Sequence, residues 1–457
     1  MFYFLFTLLA VYTLITLAFA IASFGERCMR AAVLGSVMSL IMLGLLALYG
    51  RAEAAGLLSG SVAEVFQGIL ALILLLLTLS LLVPLGRNQQ ALSGTKGMAA
   101  GPPERINQKD TAFSIAHVGG YGPAAARNRW ALQSKDLFGG LFWTQVMGLR
   151  YQVDGKVAPD RKGGISPVQM TQDIKDKARY LGADLVGITT VKDDFTYTDG
   201  FSYEESKLEV GPAVTTPVIL KHKYLIFLVK KMDYAVIKNA PTSTENEGLG
   251  EIGKSYYEVA QVACALAAYI RQLGYPARAH HLRNDQIMHV PHGVDAGLGE
   301  QGRHSYLITA KYGPRVRTAA VTTDLELVED RPVDIGVDDF CENCRLCEIN
   351  CPCNAIPAEK EIVRGYKRWR QDQDKCFNFW VSGANTFGCT LCINSCPWNK
   401  PSSLVHRISS LAASRSIVAR RLLYWFHLLF YGKRFGWKRM PLKEEVAMPT
   451  ETATWKR

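Results

Sequence analysis

The stretch CENCRLCEINCPCNAI, Cys341–Ile356, places five cysteines in sixteen residues. Cys341, Cys344, Cys347 and Cys351 follow the spacing CxxCxxCxxxC, with Pro352 next. This is the bacterial ferredoxin pattern for a [4Fe–4S] cluster, in which the fourth cysteine serves the other of two clusters. A second group completes it: Cys376, twelve further residues, then Cys389, Cys392 and Cys396, followed by Pro397. Crossed pairing predicts one cluster on Cys341, Cys344, Cys347 and Cys396, and another on Cys376, Cys389, Cys392 and Cys351. A zinc site needs four ligands in one set, whereas these eight fall into two crossed sets. Cys353 sits two residues past Cys351, too close to serve the same iron, and reads as a small buried residue near a cluster.

Nine of the eleven cysteines lie between Cys341 and Cys396, with Cys28 and Cys264 apart. A disulfide framework would spread its cysteines through a small secreted domain, so this density points to metal and reduced thiols. The chain has 457 residues, 48% of them hydrophobic, enough for a membrane part and one or two packed domains. Its net charge of +11 is uneven: Pro401–Arg457 holds eleven Lys or Arg against three Glu. Such a tail suits anionic lipid heads, with a solvated basic tail as the alternative.

Three uncharged apolar runs open the chain, Phe2–Phe24, Ala31–Tyr49 and Val65–Leu85. Each is about the 20 residues that a bilayer core requires. They predict a three-helix transmembrane anchor rather than a cleaved signal, which has one short run. Arg27 and Arg30 flank one side; Arg87, Lys96, Arg105 and Lys109 fall on the same side after a third span, and Arg51 stands opposite. The positive-inside rule then places the large domain in the cytoplasm, on the inner (plasma) membrane.

Beyond a Gly/Ala/Ser/Pro-rich linker at Ala91–Pro103, helical spacing covers Ser166–Tyr180 and Tyr256–Leu273, the latter ended by Gly274. Strands are expected at Ala183–Val191, Lys223–Lys230, Tyr306–Ala310 and Arg317–Thr322. The mixture predicts an α/β or α+β core. No GxGxxG opens a helix after an expected strand, so a Rossmann dinucleotide site is not supported. The Gly-rich GLGEQGR, Gly297–Arg303, suits close approach to a flat or phosphate-bearing ligand, or an ordinary loop. The expected domains are 1–90 (anchor), 91–165 (linker and extension), 166–335 (core), 336–402 (two clusters) and 403–457 (basic amphipathic segment).

The block AGLGEQGR…YGPRVR…TTDL, with the cysteine groups behind it, resembles the cobalamin-dependent reductive dehalogenases over roughly Ser166–Lys400. The resemblance implies an α+β, nitroreductase-like core binding a base-off corrinoid, with two ferredoxin-like [4Fe–4S] clusters feeding its cobalt. Cysteine-ligated clusters reach the low potentials that this demands. It also implies a tyrosine proton donor beside a basic residue. In KSYYEVAQVA this is Tyr256, with Tyr257 the adjacent rival, and the cation is Arg317 of GPRVR. An unperturbed phenol titrates near 10, so a neighbouring cation aids transfer. Asn284 matches a substrate-pocket or corrinoid-contact position, and Gly297, Gly299, Glu300, Gly302 and Arg303 would line the corrinoid. His281 and His289 receive no cobalt-ligand role, because no DxHxxG motif is present.

The implied partners are membrane lipid, a small organic, halogenated substrate and a low-potential donor such as a ferredoxin or flavodoxin; nucleic acid is not expected. Typical members have an export leader and a separate anchor protein, whereas this chain carries apolar runs of its own and shows no twin-arginine leader. Two alternatives stand beside this reading. One is an epoxyqueuosine-reductase-like cobalamin enzyme, and the other a non-catalytic two-cluster electron-transfer subunit of a membrane complex. Near the C-terminus LLYWFHLLFYG, Leu422–Gly432, is too short to span. It suits a helix in the lipid interface or one packed on the cluster domain.

Overall fold

The computed structural model describes residues 2–58, 60–82, 89–122, 137–162, 164–203, 206, 212–239, 247–382 and 389–433. The chain divides into two compact units: Met1–Asn88 with Ile335–Phe340 and Lys400–Lys433, and Gln89–Asp334 with Cys341–Asn399 and Arg434–Arg457. Most of the basic tail, from residue 434 on, lies outside the described residues.

In the first unit α1 (Phe2–Gly25) and α2 (Met29–Ala54) form an antiparallel hairpin. Phe2 near its start stacks on Tyr49 near its end, ring centres 5.1 Å apart. At Gly35 a Cβ would meet Phe19 and Ala20 at 3.0–3.2 Å, so the small residue sets the close approach. Both helices are long and apolar enough to cross a membrane, and Leu14, Ile21, Leu40 and Leu48 face outward. A further helix, α3 (Ser61–Leu82), follows; the end of the third expected span, 83–85, lies outside the described residues.

The second unit is built on a four-stranded sheet flanked by helices. In chain order its elements are α4 (Leu137–Gly148), α5 (Pro167–Tyr180), β1 (Leu185–Thr190), β2 (Tyr224–Lys231), α6 (Glu247–Gln272), β3 (Ala277–His280), α7 (His289–Asp295) and β4 (Val316–Thr323). The strand order is β1-β2-β4-β3 with every pairing antiparallel, which makes the core α+β. Register sets Ile188 opposite Ile226 and Phe227 opposite Ala320.

The central strand β2 is apolar on both faces because both are covered. Tyr224, Ile226 and Leu228 join the core under α5 and α6; Leu225, Phe227 and Val229 join a second core with Ile287, Val294, Leu307 and Tyr312. Burying each large side chain stabilises by about 1.5–3 kcal/mol. Helix α5 starts on a Ser166–Gln169 capping box with Pro167 in its first turn.

Three expectations change. Helix α6 begins at Glu247, not Tyr256, despite Gly248, Gly250 and Gly253. Packing on α4 overrides their low propensity: a Cβ on Gly253 would lie 3.1–3.3 Å from Trp143 and Phe142. The Tyr306–Ala310 strand shrinks to Leu307–Ile308, paired with Glu300–Gln301. The 91–103 linker is tied down instead of free, since Thr95 donates to Asp295 from its backbone N and its hydroxyl at 2.8 and 2.7 Å. Sequence composition does not reveal the buried acceptor.

Two cysteine turns complete this unit. Helix α8 (Val337–Cys344) leads to α9 (Leu346–Ile349), and α10 (Gln373–Ser382) precedes α11 (Leu391–Asn394).

Candidate active site and cysteine centres

Alternation along β4 puts Arg317 on the same face as Ala319 and Val321, which pack on α6. Along α6, Tyr256 lies one turn from the buried Ile252 and Val259, so it too faces inward. The two meet. The Arg317 guanidinium carbon lies 5.0 Å from the Tyr256 ring centre, and Trp143 packs 5.9 Å away on the same ring. Nη1 of Arg317 donates to the Val316 carbonyl at 3.0 Å; its Nε is buried with no partner among the described residues. Tyr257, about 100° further round the helix, leaves this site. Its hydroxyl accepts from Gln261 at 2.9 Å, in a separate recess lined by Tyr151, Gln152 and Arg271.

Tyr256 and Arg317 line a cavity of about 360 Å³. Its walls also include Tyr306, Phe377, Trp380 and the cysteines Cys351, Cys353, Cys376, Cys389 and Cys392. Burial pushes the Tyr306 phenol well above its usual range, and Cys376 and Cys392 add to this. A polar wall comes from Gln108, Arg283, Asp285 and His289. Burial raises the Asp285 carboxyl to about 7 and lowers His289 to about 3. None of Tyr306, Arg283 and Asp285 was singled out from sequence, because nothing in their spacing marks them; only the fold brings them to one space.

The expected corrinoid-lining residues fall elsewhere. Gly297, Gly299, Glu300, Gly302, Arg303 and Asn284 are absent from the cavity walls. A Cβ on Gly297 would lie 2.3 Å from the Arg331 carbonyl oxygen, and one on Gly299 2.0 Å from that of Ile308. A Cβ on Gly302 would lie 2.5 Å from the Ile308 side chain, and Glu300 is buried in the short pairing with Ile308. The close approach is therefore to the chain's own backbone and side chains. Arg303 is buried and donates to the carbonyls of Cys341 at 2.6 and 3.1 Å and Pro357 at 3.1 Å, and to that of Ala358. It braces the first cysteine turn. Asn284 donates its backbone N–H to His281 at 2.8 Å, while its side-chain Nδ2 is buried without a partner among the described residues. His281 is buried outside the cavity.

The thiols sort into two neighbourhoods. Burial raises Cys347, with Cys341, Cys344 and Cys396 next in effect and Cys392 after them. Cys344 is pushed up to about 12 by burial, with Cys341 adding. Burial likewise raises Cys392, with Cys376, Cys389 and Cys351 as its charged neighbours, and Cys389, to about 12, with Cys351. Cys353 Sγ lies 3.7 Å from Cys351 Sγ, and the Ala355 N–H also reaches Cys351, at 3.2 Å. Among the described residues no three His, Cys, Asp or Glu side chains converge to hold a single ion. Cysteine thiols gathered in this way are the ligand type that iron–sulfur clusters take.

Residues 340–400 match the 4Fe-4S dicluster domain family. The chain is 32% identical over 305 residues to a tetrachloroethene reductive dehalogenase of Desulfitobacterium hafniense, covering 57% of this chain and 54% of that one. It thus spans about half the length of the curated relatives it matches. A catabolic reductive dehalogenase solved in complex with 3-bromo-4-hydroxybenzoic acid aligns with TM-score 0.65 and 27% identity, over 74% of this chain and 50% of the other. A structure described as suggesting a mechanism for B12-dependent dehalogenation aligns at 0.65 and 26%, over 74% and 49%. With the cysteine turns and the core both matched, the chain is similar to reductive dehalogenases over these regions.

Proposed function

We propose that the chain is a membrane-anchored corrinoid and iron–sulfur oxidoreductase that replaces a halogen of a small organic substrate by hydrogen: R–X + 2 e⁻ + H⁺ → R–H + X⁻. One observation carries this reading: Tyr256, Arg317 and Cys351, Cys376, Cys389 and Cys392 share one cavity. A proton source, a cation and the ligands of an electron carrier thus border the same space.

Tyr256 Oη delivers the proton to the carbon that loses the halogen. Arg317 stabilises the phenolate left behind and orients the ring from its face. Tyr257, bonded to Gln261, takes no part. Cys341, Cys344, Cys347 and Cys396 hold one cluster, and Cys351, Cys376, Cys389 and Cys392 the one nearer the cavity. The cavity's amide and hydroxyl side chains, Gln108, Thr111, Thr318 and Gln371, fit an amide-fringed macrocycle and would hold the corrinoid base-off in a nitroreductase-like core. When bound, the corrinoid supplies the strongly reducing centre at which the carbon–halogen bond is broken.

The helices α1–α3 anchor the chain, and Arg27, Arg30, Lys96, Arg105 and Lys109 set the core on the cytoplasmic side, where a ferredoxin or flavodoxin would supply electrons. The helix Ile417–Tyr431 exposes Trp425, Phe426 and Leu429 in the same unit as the apolar hairpin, and we read it as lying in the lipid interface.

Metal analysis with EPR on anaerobically reconstituted protein tests the reading. It expects about eight irons in two [4Fe–4S] centres, a base-off Co(II) signal and halide release from an organohalide. Protein that retains no cobalt after cobalamin-supplied expression would sink it.

A further inference from the structure

The cavity holds a positive charge that the proposed proton transfer leaves unused. Among its described walls the Arg, Lys, Asp and Glu side chains are Arg283, Arg317 and Asp285. Arg317 is committed to the Tyr256 ring. Arg283 has no ion pair among the described residues. Its guanidinium carbon lies 5.3 Å from the Tyr203 ring centre, Nη1 reaches only the Met147 sulfur at 3.6 Å, and Nε is buried without a partner.

Its neighbour Asp285 does not neutralise it. That carboxyl sits 3.8 Å from His289 Nε2, and its attraction is to Arg278, which itself pairs with Asp154. Burial holds Asp285 at about 7, so near neutrality it is a weak counter-charge. The backbone at Arg283 takes φ 69°, in the left-handed region that a side-chain-bearing residue rarely adopts. Strain of this kind persists where surrounding structure fixes a residue for a task. A guanidinium cannot discharge by losing its proton, and this half-buried one, unpaired among the described residues, favours an anion beside it.

We infer that Arg283 forms an anion subsite of this cavity, taking a carboxylate or phenolate carried by the organic substrate. The consequence for turnover rests on the dehalogenase reading; the binding does not. Substrates would then be haloaromatic acids or phenols held by their anionic group at Arg283. The corrinoid's own phosphodiester offers similar chemistry, so the test separates the two sources.

The experiment is anaerobic calorimetry on the full-length holoenzyme with sodium 3-chlorobenzoate and its uncharged counterpart 3-chlorobenzamide, alongside cobalt and iron assays and chloride release. Wild type should bind the benzoate at least about tenfold more tightly than the amide, the usual worth of a charge-assisted hydrogen bond. R283Q should remove that preference, R283K should restore part of it, and cobalt per chain should stay unchanged. Equal binding of the two probes by wild type overturns the subsite even if R283Q fails to fold. So does an undiminished preference in R283Q. Loss of cobalt in R283Q, in step with the lost preference, overturns it by assigning the guanidinium to the corrinoid phosphodiester. Preserved discrimination with no chloride released from any organohalide would sink the dehalogenase reading and leave the subsite standing.

Discussion

The Arg317 guanidinium stands over the face of the Tyr256 ring, 5.0 Å from its centre, while Tyr257 one residue on turns away to Gln261. Replacing Tyr256 by Phe should lower kcat by about 10²–10⁴-fold, the usual worth of general acid catalysis, without changing iron or cobalt content. Tyr257→Phe should stay close to wild type. Equal losses in both variants would show that the helix face, not the hydroxyl, matters.

Arg303 is predicted to act on metal loading rather than on the corrinoid. Its guanidinium braces the carbonyls of Cys341, Pro357 and Ala358. Arg303→Met removes these bonds and loosens the buried Cys341 turn, at about 1–3 kcal/mol in all. Iron per chain should fall with the variant still folded. Unchanged iron with lost cobalt would restore the macrocycle role expected from sequence.

Cys351 and Cys353 have sulfurs 3.7 Å apart, yet they should differ in effect. C351S should lose or convert one of two clusters, read as a halved [4Fe–4S] EPR intensity. C353S should keep both. The reverse pattern would reassign the ligand.

Acid should destabilise the core. Burial holds His281, His292 and His304 at about 4 in the fold, against about 6.5 unfolded. Below pH 6.5 the unfolded chain binds more protons, so their stabilisation is complete above 6.5 and is lost as pH falls through 4. Asp285, raised to about 7, has the opposite sign: its contribution is full at low pH and is lost as pH rises through 7. Three groups outweigh one, so Tm should drop between pH 7 and 5, with cluster absorbance confirming retained metal. A flat or rising Tm would contradict the burial of these rings.

The buried Arg420 pairs with Asp339 at 2.8 Å, and Arg421 joins the same carboxylate at 2.7 Å. Asp339→Asn removes the counter-charge of a buried guanidinium that keeps its bond to the Ala413 carbonyl, and should cost about 1–3 kcal/mol. Faster proteolysis within Leu404–Tyr431 checks this, and unchanged protease resistance refutes it.

Much of this was readable from the chain. The cysteine spacing and the apolar β2 run carry their own periodicities, and the Tyr256–Arg317 pair came through the resemblance. What the sequence hid were relations made by the fold. GLGEQGR looked like a ligand cradle because glycines permit close approach, but the approaching atoms are the carbonyls of Arg331 and Ile308. Likewise Thr95 sits in a composition typical of linkers, and its acceptor Asp295 is two hundred residues away.

The two cysteine turns repeat one another in a way their unequal spacing conceals. Arg345 and Thr390 each follow a cysteine in left-handed backbone, at φ 51° and 42°, and each opens a four-residue helix, Leu346–Ile349 and Leu391–Asn394. On the crossed pairing proposed above, each turn lends its last cysteine to its twin. The two turns are then coupled in folding: unfolding of either one takes ligands from both centres, whereas loss of a single cysteine strips a ligand from only one.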